Sequence, residues 1–307
     1  MNAPAVDRLR MSRDHILRAL LPEPDLRVLV CDATGVVQHA VRVQGCERTS
    51  GEIFGQAIVG ALLVAGLGKD EQRVSIQLGG AGPMRGLFAD GSADGAVRGY
   101  VQGQRVNFPG RAADLTAAIG PDGYLAVLRE MPNGEFYRAM VALDDPRLDR
   151  NLEHYFATSE QLPTAVGIEV QIGVDGQVLH AVGVLAQRLP GGDEKALGRV
   201  RERIHAGGLA EIVSGATGGA RLALPLVEGL GEFEVLEDRP VAFRCSCSRE
   251  RAYRGVASAG RHEVIDMVAR DHGAEVSCEF CKTVYHFDAE DLLRLIDDLT
   301  PEDEGQA

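Results

Sequence analysis

Tryptophan is absent and aromatic residues make up only 5% of the chain, so a core built from these 307 residues must rely on Val, Leu, Ile and Ala. Basic residues are also in short supply: 32 Lys and Arg stand against 45 Asp and Glu, a formal charge of -13. Such a surplus of carboxylates repels a phosphate backbone, and no local basic patch offsets it, which argues against a nucleic-acid partner. A long apolar run is missing too. The longest stretch, AIVGALLVAGLG from Ala57 to Gly68, falls short of the ~20 residues that span a bilayer, so no membrane partner is expected. The opening segment MNAPAVDRLRMSRDHILRAL is charged throughout and lacks the apolar run and cleavage site of a secretory signal, which predicts a cytoplasmic protein. Cysteine is sparse, with six in the chain. In a reducing compartment, clustered cysteines point to metal binding or redox chemistry before structural disulfides.

What is present is enough apolar material, 45% of residues, for two or more domains. LRVLVCDATGVVQHAVRV (26–43) reads as two β-rich runs around a DATG turn, with Cys31 in the first run. After it, Ser50 is the expected cap of a helix with Ile53, Phe54, Ala57, Ile58, Ala61, Leu62 and Ala65 at helical spacing. Short alternating strands separated by Gly-rich turns follow from Arg73. An Asn133-Gly134 hairpin signal, a helix ending near Ser159 and another strand after Pro163 come next. The sheet pattern stops at Pro190-Gly191-Gly192. Beyond it, Leu197, Val200 and Ile204 share a helical face, but glycines at 208, 215, 218 and 219 predict marginal helices that need a neighbour. Undocking would expose Leu209, Ile212 and Val213. The last part reads as a compact module: Ser248 caps one helix, Gly260 stops it, and RHEVIDMVARDH ends at Gly273. A hairpin AEVSC/KTVYHF and a helix AEDLLRLIDDL then lead into an acidic tail. The fold class is α+β. An N-terminal mixed core with antiparallel-rich sheet (1–190) precedes a helical, metastable linker (191–240) and a small C-terminal zinc-binding α+β module (241–307).

Cys245 and Cys247 form a C-x-C; after 30 intervening residues, Cys278 and Cys281 form a C-x2-C. Four thiolates suit tetrahedral zinc, with each pair supplying two ligands from one tight turn. A module of this size has a small core, so bound metal would contribute directly to its folding. Zinc with four thiolates carries a formal charge of about -2, for which Arg244, Arg249, Arg251, Arg254 and Lys282 are the candidate compensating cations. His262, His272 and His286 are rival ligands that four cysteines make unnecessary. Structural zinc alone does not account for the C-x-C spacing. Cysteines one or two residues apart can also form a disulfide within each pair, which would expel zinc and leave the two halves untied.

RCSCSRER, SCEFCKTVYHF, TSEQLPTAVGIEV and GAVRGYV closely resemble the heat-shock protein 33 family, the redox-regulated bacterial chaperonins, over essentially the whole chain. The resemblance implies an ATP-independent holdase, not an enzyme, with zinc on Cys245, Cys247, Cys278 and Cys281 in the reduced, inactive state. It further implies disulfides Cys245–Cys247 and Cys278–Cys281 on oxidation, zinc release, linker unfolding, homodimerisation and binding of unfolding client proteins. The alternative is a constitutive binding protein whose zinc is purely structural.

Other motifs carry less. GGAGPMRG lacks the GK[ST] of a phosphate loop and reads as a turn between strands. Cys31 and Cys46 read as apolar fillers or incidental thiols. His39 and His154 have no nucleophile or carboxylate constellation around them.

Overall fold

The structure of the protein, a computed structural model, describes residues 14–68, 72–131, 134–206, 209, 211 and 220–299. Asn133 of the expected hairpin turn, Ile212, Val213 and the glycines at 208, 215, 218 and 219, and the acidic tail lie outside the described residues. The chain forms two compact units, residues 1–244 and 245–307.

The first unit is built on two sheets. One has the order β10-β1-β2-β9-β8, from β10 (Glu234–Pro240), β1 (His15–Leu21), β2 (Leu26–Asp32), β9 (Val178–Arg188) and β8 (Thr164–Ile172). The other runs β11-β5-β4-β3-β6-β7, from β11 (Ala242–Phe243), β5 (Ala96–Val101), β4 (Gly86–Ser92), β3 (Arg73–Gly79), β6 (Tyr124–Glu130) and β7 (Phe136–Ala142). All pairings are antiparallel except that of the two-residue β11 with β5. Helix α2 (Arg48–Ala65) packs against both sheets. It is apolar all round, as a helix buried on every side must be, with Ile53, Phe54, Ile58, Leu62 and Leu63 at most 1% exposed. Among the described residues, no helix is long and apolar enough to cross a membrane.

The five-stranded sheet is covered on both faces, which explains why β2 reads LRVLVC without polar alternation. Leu29 and Cys31 point into the α2 layer, whereas Leu26, Val28 and Val30 join a second core. Its lid is α5 (Glu194–Ala206) and α6 (Ala220–Val227), contributing Ala196, Leu197, Val200, Ile204, Ala223, Leu226 and Val227. Two glycines let helices approach this sheet from opposite sides. A Cβ on Gly167 would stand 2.5 Å from Cγ2 of Ile204 in α5, and one on Gly183 would stand 2.5 Å from Cγ1 of Val59 in α2.

Three sequence expectations are corrected. The DATG segment is no hairpin: Asp32 ends β2, and its Oδ1 accepts the N–H (3.2 Å) and hydroxyl (2.8 Å) of Thr34, which opens helix α1 (Thr34–Gln44). Val36, Val37, Ala40, Val41 and Gln44 are buried at helical spacing, a period hidden by the β-branched composition. Ser50 does not cap α2. The helix starts three residues earlier, after Glu47, and the Ser50 hydroxyl donates to the Glu47 and Gln104 carbonyls instead. Residues 234–240, within the segment expected to be helical, form strand β10, because the edge of β1 offers unpaired backbone groups from His15 to Leu20. Strand β1 itself, HILRALL, was not assigned from sequence. GGAGPMRG is the connection between β3 and β4, held by Gly82 N–H to Ile119 O (2.6 Å) and Met84 N–H to Ala118 O (2.9 Å).

The second unit has its own small core of Ala252, Val256, Val264, Phe287, Leu292, Leu295 and Ile296. Ser248 caps α7 (Arg249–Ala257), as expected, by accepting the Arg251 N–H. Helix α8 (Arg261–Asp266) continues into a π-helical turn (Met267–Asp271) that ends at left-handed His272, one residue before the expected Gly273. The hairpin β12 (Gly273–Ser277)/β13 (Val284–Asp288) and α9 (Ala289–Asp298), with its Asp288/Asp291 capping box, complete the unit.

Gly167→Ala is expected to push Ile204 out of its seat and to destabilise the first unit by about 1–3 kcal/mol through overpacking. Urea denaturation measures the loss, and hydrogen exchange should show it first in α5; wild-type protection there contradicts the assignment of Gly167 as the seat of the helix.

Candidate metal centre

Cys245 and Cys247 lie in the extended stretch that leads into α7, and Cys278 and Cys281 lie in the turn joining β12 to β13. That turn is tight. The Lys282 N–H donates to Cys278 O at 2.8 Å, the Cys278 N–H donates to Thr283 O at 2.9 Å, and Lys282 takes the left-handed conformation (φ 57) that reverses the chain. The four Sγ atoms all fall within 4.8 Å of one another. Cys245 Sγ stands 3.7 Å from Cys278 Sγ, and Cys247 Sγ stands 3.3 Å from Cys281 Sγ. A zinc–sulfur bond of about 2.3 Å requires sulfurs about 3.8 Å apart at the corners of a tetrahedron. The donor set is thus of the right kind, number and spacing for a thiolate-preferring cation, and among the described residues no His, Asp or Glu joins it.

The surrounding side chains only partly match expectation. Arg251 Nη1 donates to the carbonyl and hydroxyl of Ser246, both at 2.8 Å, and so fixes the residue between the first two cysteines. Arg249 donates to His286 O and Asp291 and stacks over the Phe287 ring, 4.4 Å from its centroid. Lys282 pairs with Glu279, Arg254 with Glu250, and Arg244 with Asp94 in the first unit. Arg249 and Arg251 brace the backbone around the cluster; the bonds of all five cations go to oxygen. The groups that reach the sulfurs are Tyr285, whose hydroxyl donates to Cys247 Sγ at 3.2 Å, and Thr283, whose Oγ1 accepts from the Cys281 thiol at 3.2 Å. Neither residue was singled out from sequence. The signal was the T-x-Y alternation directly after the CEFC turn, which sets both side chains on one side of an extended strand. His262 and His272 are exposed, and His286 pairs with Glu275 at 3.3 Å.

Proton affinity divides unevenly over the cluster. Burial pushes Cys245 up to about 12, reinforced by the thiols of Cys247, Cys278 and Cys281. Burial also opposes ionisation of Cys281, yet bonds with the hydroxyl and backbone of Thr283 and with the Cys247 and Cys278 thiols outweigh it and bring Cys281 down to about 6. Ionisation is thus easiest at Cys281 and hardest at Cys245. Away from this centre, Cys31 is fully buried and its thiol is driven well above its ordinary range, first by burial and then by Asp32 and Asp14. Cys46 is half-buried, and the His39 ring packs 5.0 Å from that of Phe243.

A family model described as Hsp33 protein matches residues 14–288, which takes in both sheets, the helical lid and all four clustered cysteines. The chain belongs to the Hsp33 family. Its similarity to individual Hsp33 relatives is as broad. The 33 kDa chaperonin of Geobacter sulfurreducens is 35% identical over 290 residues, covering 94% of this chain and 96% of the relative. The 33 kDa chaperonin of a Geobacillus species is 31% identical over 287 residues, covering 92% and 97%. The crystal structure of the 33 kDa chaperonin from Thermotoga maritima superposes with a TM-score of 0.84 at 26% identity, covering 93% of this chain and 98% of that one. Membership of this family makes the chain a chaperone.

Two measurements test the centre. Cys278→Ser is expected to weaken zinc binding, since it removes one of four sulfurs, and a chelator competition that returned wild-type affinity would remove Cys278 as a ligand. Because Cys245 keeps its proton up to about 12 in the metal-free cluster, forming four thiolates must expel at least that proton. Apparent zinc affinity should therefore fall as pH falls, by about 100-fold or more between pH 8 and pH 6 for one proton released. A flat pH profile would contradict the ligand set.

Proposed function

We propose that this chain is a redox-regulated, ATP-independent holdase chaperone of the cytoplasm whose C-terminal unit is the switch. The observation that carries the reading is the gathering of four sulfurs, from two segments 30 residues apart, into a cluster of metal-binding dimensions. In the reduced, inactive protein, zinc bound by Cys245, Cys247, Cys278 and Cys281 would hold residues 245–247 against the β12–β13 turn. The apolar core beneath is small, and such a unit leans on its staple.

Oxidation by a peroxide takes two electrons from each pair. A Cys245–Cys247 bond and a Cys278–Cys281 bond form, and each peroxide is reduced to two hydroxides, which take protons from solvent to become water. Each of these disulfides closes within its own segment, so neither replaces the link between them. The unit then loses its staple and unfolds.

Residues 191–240 follow in this reading. Their docked helices cover the apolar face of the five-stranded sheet through Leu197, Val200, Ile204, Leu226 and Val227. Their hold is modest. Helix α6 has only eight residues with Pro225 inside it, too short to persist alone. Helix α5 is pinned by Arg201 Nη2 donating to Thr164 O (3.1 Å) and by His205 and Arg201 against Glu153 (3.3 and 3.8 Å). Release of both would expose the sheet face and the helices' own apolar sides, a surface fit for diverse unfolding clients and for homodimerisation.

Peroxide or hypochlorite added to the reduced, zinc-loaded protein should release zinc and switch on suppression of client aggregation together. Zinc loss without anti-aggregation activity would sink the chaperone switch and favour a purely structural zinc. Limited proteolysis of the oxidised protein should cut preferentially after about Pro190; identical digests of the two redox forms would contradict the release of the linker.

A further inference from the structure

We infer that Thr283 and Tyr285 are positioning residues that set how readily the sulfur cluster is oxidised, each by a side-chain hydroxyl held against one cysteine of a different pair. The inference rests on the redox reading above and adds to it the groups that tune it. Thr283 and Tyr285 are two apart on extended chain, so their side chains leave the same side of the strand. One hydroxyl meets Cys281 Sγ and the other meets Cys247 Sγ, both at 3.2 Å. Both are firmly based. Thr283 O accepts the Cys278 N–H at 2.9 Å, and Tyr285 stands in register with Val276 across the hairpin, its ring packed against the core of the unit. Tyr285 moreover reaches 38 residues back along the chain to its sulfur, so it joins the two halves of the cluster without any metal.

The chemistry follows from what a thiolate has to donate. Once Cys247 and Cys281 are thiolates, the hydroxyls of Tyr285 and Thr283 carry the only protons in these two contacts and donate them to sulfur. A hydrogen bond to a thiolate draws off electron density, which favours retention of the ligand geometry and slows attack on an oxidant. The guarded step is attack of the Cys247 thiolate on one oxygen of hydrogen peroxide. The O–O bond breaks, hydroxide leaves and the sulfur becomes a sulfenic acid. The Cys245 thiolate then attacks that sulfur, the S–O bond breaks, a second hydroxide leaves and the disulfide forms. Two thiolates have lost two electrons and one peroxide has gained them. The same sequence applies to Cys281 with Cys278, where Thr283 is the guard.

Tyr285→Phe and Thr283→Val remove each hydroxyl and keep the bulk of the side chain. With full-length, reduced protein loaded with zinc, peroxide-driven metal release is followed by a chromophoric chelator, and thiol alkylation with mass spectrometry maps which pair is lost. Zinc affinity is expected to drop about tenfold in each variant, the lower end of what outer partners of metal ligands contribute, with release faster by a similar factor. The acceleration should be local. Tyr285→Phe should hasten loss of the Cys245/Cys247 thiols, Thr283→Val loss of the Cys278/Cys281 thiols, and Thr283→Ser should restore the wild-type rate. A merely structural role would speed both pairs alike. That result, or unchanged release in Tyr285→Phe, overturns the proposal. A wild type that neither binds zinc nor releases it under peroxide overturns the redox reading beneath it, which the same titration reveals before any variant is compared.

Discussion

Four sulfur atoms contributed by two segments 30 residues apart lie within 4.8 Å of one another, and the role proposed for the C-terminal unit turns on what keeps them there. Sulfurs this close are costly to leave as bare thiolates, because like charges repel strongly when burial thins the solvent between them. The cluster meets that constraint by uneven protonation, with Cys245 driven up and Cys281 brought down. A divalent cation would meet it by neutralising the charge at the centre. Covalent pairing would meet it by removing the charge altogether. Each solution leaves the two segments held together to a different degree, and the proposed switch is a change from one solution to another.

The remainder of the unit is arranged around that choice. Among the described residues its seven buried apolar side chains form one cluster, and its polar braces run between α7, β13 and α9 through Arg249, His286 and Asp291. Arg251 fixes the backbone at Ser246 and the β12–β13 turn fixes Cys278. The sulfurs are thus presented by rigid backbone on both sides, while hydroxyls from a single strand touch one member of each pair. In the first unit a parallel logic applies to α5 and α6. One is short and carries an internal proline, and both sit on the sheet through apolar contacts, to which α5 adds the bonds of Arg201 and His205. Marginal elements over an apolar face are a stable arrangement only while docked.

Much of this was legible in the residues. The four cysteines, the Ser248 cap, the AEVSC/KTVYHF hairpin, the last helix and the apolar face of Leu197, Val200 and Ile204 all follow from local rules that the structure obeys. The failures have two causes. VVQHAVRV looks like a strand because it is β-branched, yet it is a helix because its buried positions recur at 3–4 residues and Asp32 opens it. HILRALL pairs with its neighbour β2 on one side, and EVLEDRP became a strand because the other edge of HILRALL, distant in sequence, was open to it. No local pattern records such a pairing.

The sequence by itself determined the chemistry of the centre, because ligand type and spacing within each pair are properties of adjacent residues: two thiols one apart, two thiols two apart, and a hairpin turn between strands to present the second pair. Only the tertiary structure decided which atoms face those sulfurs. The arginines and the lysine nearby in sequence turned to oxygen partners, and a threonine and a tyrosine reached the sulfurs instead. The reason is geometric. Charge complementarity can be estimated from composition, but the direction of a side chain depends on the strand that carries it, the register of that strand with its neighbour and the core against which its ring is packed.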